Sequence, residues 1–541
     1  MFKLFLKNHR LNFLILSCLI LLTYAYFLNN AFVSDDIAEI AQKPEIANFS
    51  HVLTIPFGAI RLIVYWICAN LGGVHPFLFR FSNILFHLFS ACFLYAILFL
   101  IYKSKRVAFF ASSLFAIHPG ISEAVLWISG GMYAQYTFFY LLSFLLYILS
   151  DTYKKAYWFS ALAYLFSLMS HPVMPIPLFI IFPLFEFCFG NFKKNWVKVI
   201  PFLLLAIVYV FINLGALPER ETTLQTTHYQ EKGVDNPLMQ IPIAISSYAE
   251  LLFFPKTLTL YHSELNFSSI SFSIRAFLTV MFFVGLAAVF KKSLPVFFWL
   301  SFSIIALSFT LTPFRLNWIV AERYLYLPSI GIFTLVSLGL DKLISKKQNL
   351  KTTIYIIFVV AIVLLSTRTF LRGIDWENED NLWIATGKTS PSSPNTHNNL
   401  GDVYGRAGDK QAALKEFQRA IDLKPNYADA FHNLANTYQE LGQSDKALEN
   451  YQKAAQINPS LWQSYQNIAA LYFQSKQYDL ALVNIQKAIS INPKNINLYN
   501  NLGIIYLLKG DRAHAKEIFN QVLTADSQNE LAKRGLIEAG K

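Results

Sequence analysis

Pro394–Tyr427 reads PNTHNNLGDVYGRAGDKQAALKEFQRAIDLKPNY, and three further segments repeat its pattern at the same length. Pro391, Pro425, Pro459 and Pro493 recur every 34 residues. Leu400, Leu434, Ile468 and Leu502 occupy one apolar position of the unit, and Ala413, Ala447, Ala481 and Ala515 occupy another. A unit of this length is two short helices joined by a turn, and alanine lets such helices approach closely. One unit cannot bury its own apolar face; four stacked in tandem can.

The period belongs to the tetratricopeptide repeat, a unit that binds peptides. The units run near 394–427, 428–461, 462–495 and 496–529, with the remainder a capping helix. Beside the core position stand Asn399, Asn433, Asn467 and Asn501, on the face expected to line the concave groove. A side-chain amide both donates and accepts, so a ladder of asparagines can hold an extended acceptor peptide without reading its sequence. Asparagine is also a common consensus residue there, and both readings stand at this point.

Upstream the chain changes character. Of 541 residues, 55% are hydrophobic and 16% aromatic, too apolar for an ordinary soluble protein. Several stretches in residues 1–371 exceed the roughly 18 apolar residues that mark a bilayer-spanning helix. Spans are expected near 11–28, 77–102, 107–118, 132–150, 156–170, 173–189, 196–214, 273–290, 295–312, 324–341 and 352–369, about eleven in all. The shorter stretch 241–256 reads as a re-entrant or interfacial helix. The expected fold class is therefore all-α: a polytopic helical membrane body over 1–371, a linker over 372–393, and a tetratricopeptide-repeat α-solenoid over 394–541.

The formal charge of +12 is unevenly spread. From Pro391 onward 16 basic residues face 14 acidic ones, which leaves 29 basic and 19 acidic residues in the membrane half. Those basic residues cluster in short loops, as orientation signals do, so the charge argues for topology and against nucleic acid as a partner. The amino tail and the loops around Lys103, Lys154, Lys193, Lys291 and Lys346 carry 17 basic and three acidic residues on one side. That side is expected to be cytoplasmic, and an odd number of spans then puts the repeats outside the cytoplasm. No A-x-A-like cleavage site follows the first span.

The cytoplasmic loops are too short for a nucleotide-binding domain and hold no glycine-rich phosphate loop. Chemistry is therefore expected on the outer face, where a lipid-linked donor suits the location. Cys18, Cys68, Cys92 and Cys188 all lie in or beside apolar segments, with no disulfide or zinc spacing. They read as small core residues.

Three strings could carry chemistry. Phe32-Val-Ser-Asp-Asp36 places Asp35 and Asp36 just past the first span, where a carboxylate in a partly apolar cleft can act as a general base. The plainer reading is a helix start, since Asp36 and Glu39 have capping-box spacing; Asp35 is not needed for that box. The second string runs from His118-Pro-Gly through Glu123 to Trp127-Ile-Ser-Gly130, and the third is Ala321-Glu-Arg-Tyr-Leu-Tyr-Leu-Pro-Ser-Ile-Gly331. Ionisable residues this near hydrocarbon are costly and mark candidate sites. Structural roles stay open: Glu322 and Arg323 could pair to anchor a loop, and His118 could cap a helix.

Together these strings resemble the transmembrane-and-tetratricopeptide (TMTC-type) protein O-mannosyltransferases. Phe254-Pro-Lys-Thr-Leu and the junction Asp375-Trp-Glu-Asn-Glu-Asp-Asn-Leu-Trp383 are similar too. The resemblance runs nearly end to end. It implies a C-type glycosyltransferase fold, an outward-facing active site and a polyprenyl-phosphate sugar, polyprenyl-phosphate mannose, as donor. It also implies that the acidic pair deprotonates the acceptor hydroxyl. The chain departs from the family at Gly131, where a basic residue usually follows WISG, and at Ser170-His171-Pro172, where a Ser-Lys-Glu string is common.

The expectation is an inverting membrane glycosyltransferase acting on Ser or Thr of secreted or surface proteins. Asp35 or Asp36 takes the hydroxyl proton, and Arg323 and Arg315 face the departing phosphate. Glu123 and His118 orient the acids or hold a divalent ion, with Glu322 beside them. Four repeats are few for the animal enzymes, which points to a prokaryotic plasma membrane; the endoplasmic reticulum is the eukaryotic counterpart, where Asn48 and Asn266 could accept glycans. The rivals are a non-catalytic, membrane-anchored repeat scaffold and a ligase or polymerase of lipid-linked glycans. Such ligases use a large late outer loop, whereas the acidic pair here lies in the first.

Overall fold

The computed structural model describes residues 2–52, 58–214, 237–265, 267–311 and 319–541, and the described residues are helical with no strand. They divide into two compact units, Met1–Thr389 and Ser390–Lys541. Arg315 and Asn266 lie outside the described residues.

Among the described residues of the first unit seven helices are long and apolar enough to cross a membrane: Lys7–Asn29, Pro76–Tyr102, Ser129–Leu149, Phe192–Asn213, Ser269–Lys292, Leu294–Leu311 and Gln348–Asp375. Their outward side chains are large and apolar, with Leu14 at 60%, Phe277 at 63% and Leu364 at 65% exposure. Hydrocarbon, not water, suits such a surface. This is a membrane protein.

Four of the eleven expected spans are absent from that set. Lys105–Ile117 and Lys154–Ser170 have only 13 and 17 residues. The stretch expected at 173–189 is a tight turn, Ile176–Ile180, followed by the eight-residue helix Ile181–Cys188. Ser329–Lys346 is long enough but carries Asp341, Lys342 and Lys346 towards its end. By length, or for Ser329–Lys346 by charge, these four fall outside the set of candidate spans. The ambiguous stretch is a 17-residue helix, Pro237–Phe253, with Pro242 inside it.

The expected linker is not one. Residues 372–375 finish the helix Lys351–Asp375, and Glu379–Thr389 form another helix within the first unit. Leu382, Trp383 and Thr386 on the inner side of that helix are buried, as is Trp376 at the end of the preceding one.

The second unit consists of four helix pairs: Pro394–Arg406 with Lys410–Leu423, Ala428–Glu440 with Ser444–Ile457, Trp462–Gln474 with Tyr478–Ile491, and Ile496–Lys509 with Arg512–Ala525. Glu530–Gly540 closes the stack. Ser393, Asp409 and Asp511 cap their helices by accepting the backbone N–H three residues on. Gly408, Gly442 and Gly510 take positive φ between paired helices, a turn that glycine enters without steric cost. Ala413, Ala447, Ala481 and Ala515 are fully buried.

Candidate active site around the acidic loop

The acidic loop begins with how the first helix ends. Arg80, fully buried, donates to the carbonyl oxygens of Leu28 (3.2 Å), Asn30 (2.6 Å), Ala31 (3.0 Å) and Leu126 (2.8 Å). A guanidinium offers five donors in a rigid fork, so one side chain fixes two loops at once. On the other side, Asn30 Nδ2 donates to the Trp376 carbonyl at 3.0 Å, and the Ala31 N–H donates to the Glu377 carbonyl at 2.9 Å.

The two acids then part company. Asp36 is fully buried and accepts from Ser129 N (2.7 Å), Ser129 Oγ (2.6 Å) and Val33 N (3.4 Å). Burial pushes its carboxyl up to about 6 against these hydrogen bonds and the nearby Arg80 charge. The capping box does not form, because Glu39 instead accepts from Arg61 at 2.9 Å. Asp35 is exposed. Its carboxylate lies within electrostatic reach of Arg61 and Tyr261. Asp36 is a structural anchor, and Asp35 faces outward.

Two buried ion pairs lie next to this loop. Glu123 accepts from Arg323 Nη1 at 2.6 Å and from the Arg323 backbone N–H at 2.8 Å. Glu322 accepts from Thr259 N at 2.5 Å and Arg372 Nη2 at 3.2 Å, while Arg372 Nη1 reaches Asp375 at 3.1 Å. Burial raises the Glu322 carboxyl, with the Arg372 charge opposing it. His262 Nε2 stands 3.9 Å from Glu322, and burial beside Arg372 and Arg323 lowers that imidazole to about 3, so it is neutral.

Aromatic rings join the two pairs. Arg323 lies over the Trp127 ring at 5.2 Å, Trp127 stacks on Trp376 at 6.0 Å, and Arg372 lies over Trp376 at 5.5 Å. Cation–π contact of this kind helps hold a desolvated guanidinium. Trp127 Nε1, Trp376 Nε1, Arg372 Nε, His262 Nε2 and Glu322 Oε2 are buried without a hydrogen-bond partner. A cluster of unpaired polar atoms inside a protein calls for water or a ligand.

His118 sits apart from the acids. Its Nδ1 accepts from Gly120 N at 3.1 Å and its Nε2 lies 3.0 Å from the Leu252 carbonyl. Burial lowers its pKa to about 4. It caps the turn after Lys105–Ile117 and clamps the short helix Pro237–Phe253. The structure thus places Glu123 on Arg323 and His118 on backbone, and neither on the acidic pair. Burial obliges each of these two side chains to take a partner, and both take one away from the acids. Among the described residues no three of His, Cys, Asp and Glu come together as a metal-binding set.

At Gly131 an added Cβ would fall 1.9 Å from Asn83 Oδ1, so Asn83 fills the space a side chain there would need. His171 packs against Tyr133 and Tyr136. Sequence reasoning missed Arg61, Arg80, Tyr261, His262, Arg372 and Glu379. Arg372 lies three residues before the string Asp375–Trp383 and Glu379 lies within it, and for Arg80 the signal was an arginine inside an apolar span.

The repeat asparagines are half-buried. Asn433 Nδ2 donates to Asn398 Oδ1 at 3.0 Å, and Asn467 Nδ2 donates to Asn436 Oδ1 at 3.1 Å, each across a repeat boundary. Asn398 Nδ2 lies 3.5 Å from Asn399 Oδ1, and the neighbour of Asn501, Asn500, donates to Asn529 at 3.3 Å.

Family profiles described as tetratricopeptide repeat match residues 428–461 and 496–529, and a TPR repeat profile matches 406–442 and 469–510. Protein O-mannosyl-transferase F38B6.6 of Caenorhabditis elegans is 26% identical over 77% of this chain and 63% of its own length. Protein O-mannosyl-transferase TMTC1 of Homo sapiens is 24% identical over 76% of this chain and 54% of its own. The chain is thus similar to these two proteins over about three quarters of its length. Protein O-mannosyl-transferase Tmtc2 of Drosophila melanogaster, another TMTC-type relative, is 35% identical over 23% of this chain and 14% of its own length. The chain thus spans less than two thirds of each of these relatives. Among solved structures, the MamA protein is 24% identical over 27% of this chain and 80% of its own, with a TM-score of 0.25. YrrB, described as a TPR protein with an unusual peptide-binding site, is 20% identical over 36% of this chain and 96% of its own, at 0.26.

Proposed function

We propose that this chain transfers a sugar, mannose, from a polyprenyl phosphate to Ser or Thr hydroxyls of secreted or surface proteins. The observation that carries the reading is the split of the acidic pair: Asp36 is locked on Ser129 while Asp35 is exposed beside two buried guanidinium–carboxylate pairs. Relatives named protein O-mannosyl-transferase support the reaction class.

In this reading the Asp35 carboxylate takes the acceptor hydroxyl proton as that oxygen attacks the anomeric carbon. The new carbon–oxygen bond forms on the face opposite the phosphate, the anomeric carbon–phosphate oxygen bond breaks, and the electron pair leaves with the polyprenyl phosphate. The configuration inverts. Positive charge grows on the sugar ring and negative charge on the phosphate, which Arg323, with Arg372 behind it, is placed to stabilise. Arg315 remains a candidate for the same role. Asp36, Arg80 and Glu123 hold the loops. The basic loops assign the amino terminus to the cytoplasm, and an odd number of spans leaves the repeats on the other side. There Asn399, Asn433, Asn467 and Asn501 hold the acceptor polypeptide, and the lipid donor diffuses in from the bilayer.

The test is reconstitution of the full chain with polyprenyl-phosphate mannose and a Ser/Thr-rich acceptor peptide, read by mass spectrometry. Addition of single hexoses, lost in Asp35→Asn, is the expected result. Transfer of whole glycan chains, or an Asp35→Asn variant as fast as the parent, overturns it.

A further inference from the structure

One string singled out in the sequence has no part in the chemistry above: Asp375-Trp-Glu-Asn-Glu-Asp-Asn-Leu-Trp383. Its contacts converge on the acidic loop. Asn30 and Ala31 are bonded to the carbonyls of Trp376 and Glu377, and Glu379 Oε1 accepts from the Ser34 backbone N–H at 3.2 Å. Trp383 Nε1 lies 3.4 Å from the same Glu379 oxygen, and the Trp383 ring packs on Tyr261 at 5.8 Å.

Ser34 is the residue before Asp35, and its φ is +54°. Among the described residues only Ser34, Lys103 and Lys476 adopt positive φ without being glycine. A residue with a Cβ avoids this left-handed region unless its surroundings hold it there. The turn matters because it sends the two acids to opposite fates. With Ser34 left-handed, Asp36 reaches inward to Ser129 and Asp35 points out. The Ser34 N–H is itself the group that Glu379 grips.

We propose that Glu379 is a positioning residue: by accepting from the Ser34 amide it holds the left-handed turn that presents Asp35 to substrate. The string at 375–383 is then the outer jaw of a clamp on residues 30–34, with Arg80 as the inner jaw. For its activity arm this rests on the transfer reading above.

The design uses the full-length protein with polyprenyl-phosphate mannose and acceptor peptide, and compares E379A, E379Q and S34G/E379A. Misplacing a catalytic group by about an ångström costs up to roughly 100-fold, so E379A is expected to lower kcat by about 10- to 100-fold with acceptor KM little changed. E379Q keeps a side-chain oxygen for the Ser34 amide and retains most of the rate. S34G in the E379A background restores it, because glycine enters the left-handed turn unaided. Loss of a merely structural contact would not be repaired by a glycine 345 positions away. Hydrogen–deuterium exchange over residues 30–41 is followed in parallel: it rises in E379A and falls back in S34G/E379A, with exchange in 394–541 unchanged. If the parent protein transfers no mannose, the transfer reading fails and exchange alone decides the clamp. Unchanged kcat and exchange in E379A, or no recovery in S34G/E379A, overturns the proposal.

Discussion

The membrane unit and the repeat unit treat charge in opposite ways. In the first, Glu123–Arg323 and Glu322–Arg372 have side chains only 0–10% exposed. In the second, pairs such as Lys533–Glu530 (38% and 70%) join neighbours one helical turn apart in solvent. A surface pair is worth little and is easily replaced. A buried pair carries a desolvation cost that good geometry only partly offsets. Such pairs persist where an apolar core of similar volume would fold as well, which is a reason to look for chemistry there. The repeat unit puts its regularity into stacking, while the membrane unit gathers its buried charges into one cluster beside the acidic loop.

Four measurements can break or sharpen that contrast. The largest effect is expected at Asp35: replacement by Asn lowers the transfer rate by about 100- to 10,000-fold while the melting temperature in detergent stays put. A comparable loss of folding instead would make Asp35 structural. Next comes Glu123→Ala, which strands Arg323 without its partner and destabilises the first unit by about 3–5 kcal/mol; thermal or denaturant unfolding with a probe in residues 1–389 reads it. A cost below 1 kcal/mol would mean the pair is effectively hydrated.

The third concerns pH. Asp36 is raised from 3.8 to about 6 on folding, so the folded state holds its proton more tightly than the unfolded chain does. Stability therefore declines as pH climbs from about 4 to about 6 and stays reduced above, by on the order of 3 kcal/mol. The Asp36→Asn variant should lack that slope. A parent protein that instead gains stability over this interval would show Asp36 to be well solvated. The smallest effect belongs to the repeats, where Lys533→Ala should change stability by less than about 0.5 kcal/mol. Anything larger would erase the contrast drawn above.

Much of this was legible in the chain. The helix pairs from Pro394 onward follow from a 34-residue period, and Leu400, Leu434, Ile468 and Leu502 are buried where the pattern puts them. The long spans follow from apolar runs. The site was legible only in outline. Asp35, Asp36, Glu123, Glu322 and Arg323 could be picked out as ionisable groups at an apolar boundary, but their partners could not. Glu123 meets Arg323 across 200 positions, Glu322 meets Arg372 across 50, and Ser34 meets Glu379 across 345. No local period reports a contact of that kind. Short apolar helices such as Lys105–Ile117 were read as crossings because packing inside a bundle and packing against lipid select the same residues.

By itself the sequence determined a helical membrane body, a solenoid of four repeats and the place along the chain where the acids lie, because period and hydropathy are local properties that survive without a fold. Only the tertiary structure decided which acid is buried and which is exposed, and that a supposed linker grips the turn just before them. Those outcomes depend on desolvation and on hydrogen bonds between distant segments, and both exist only once the chain has packed.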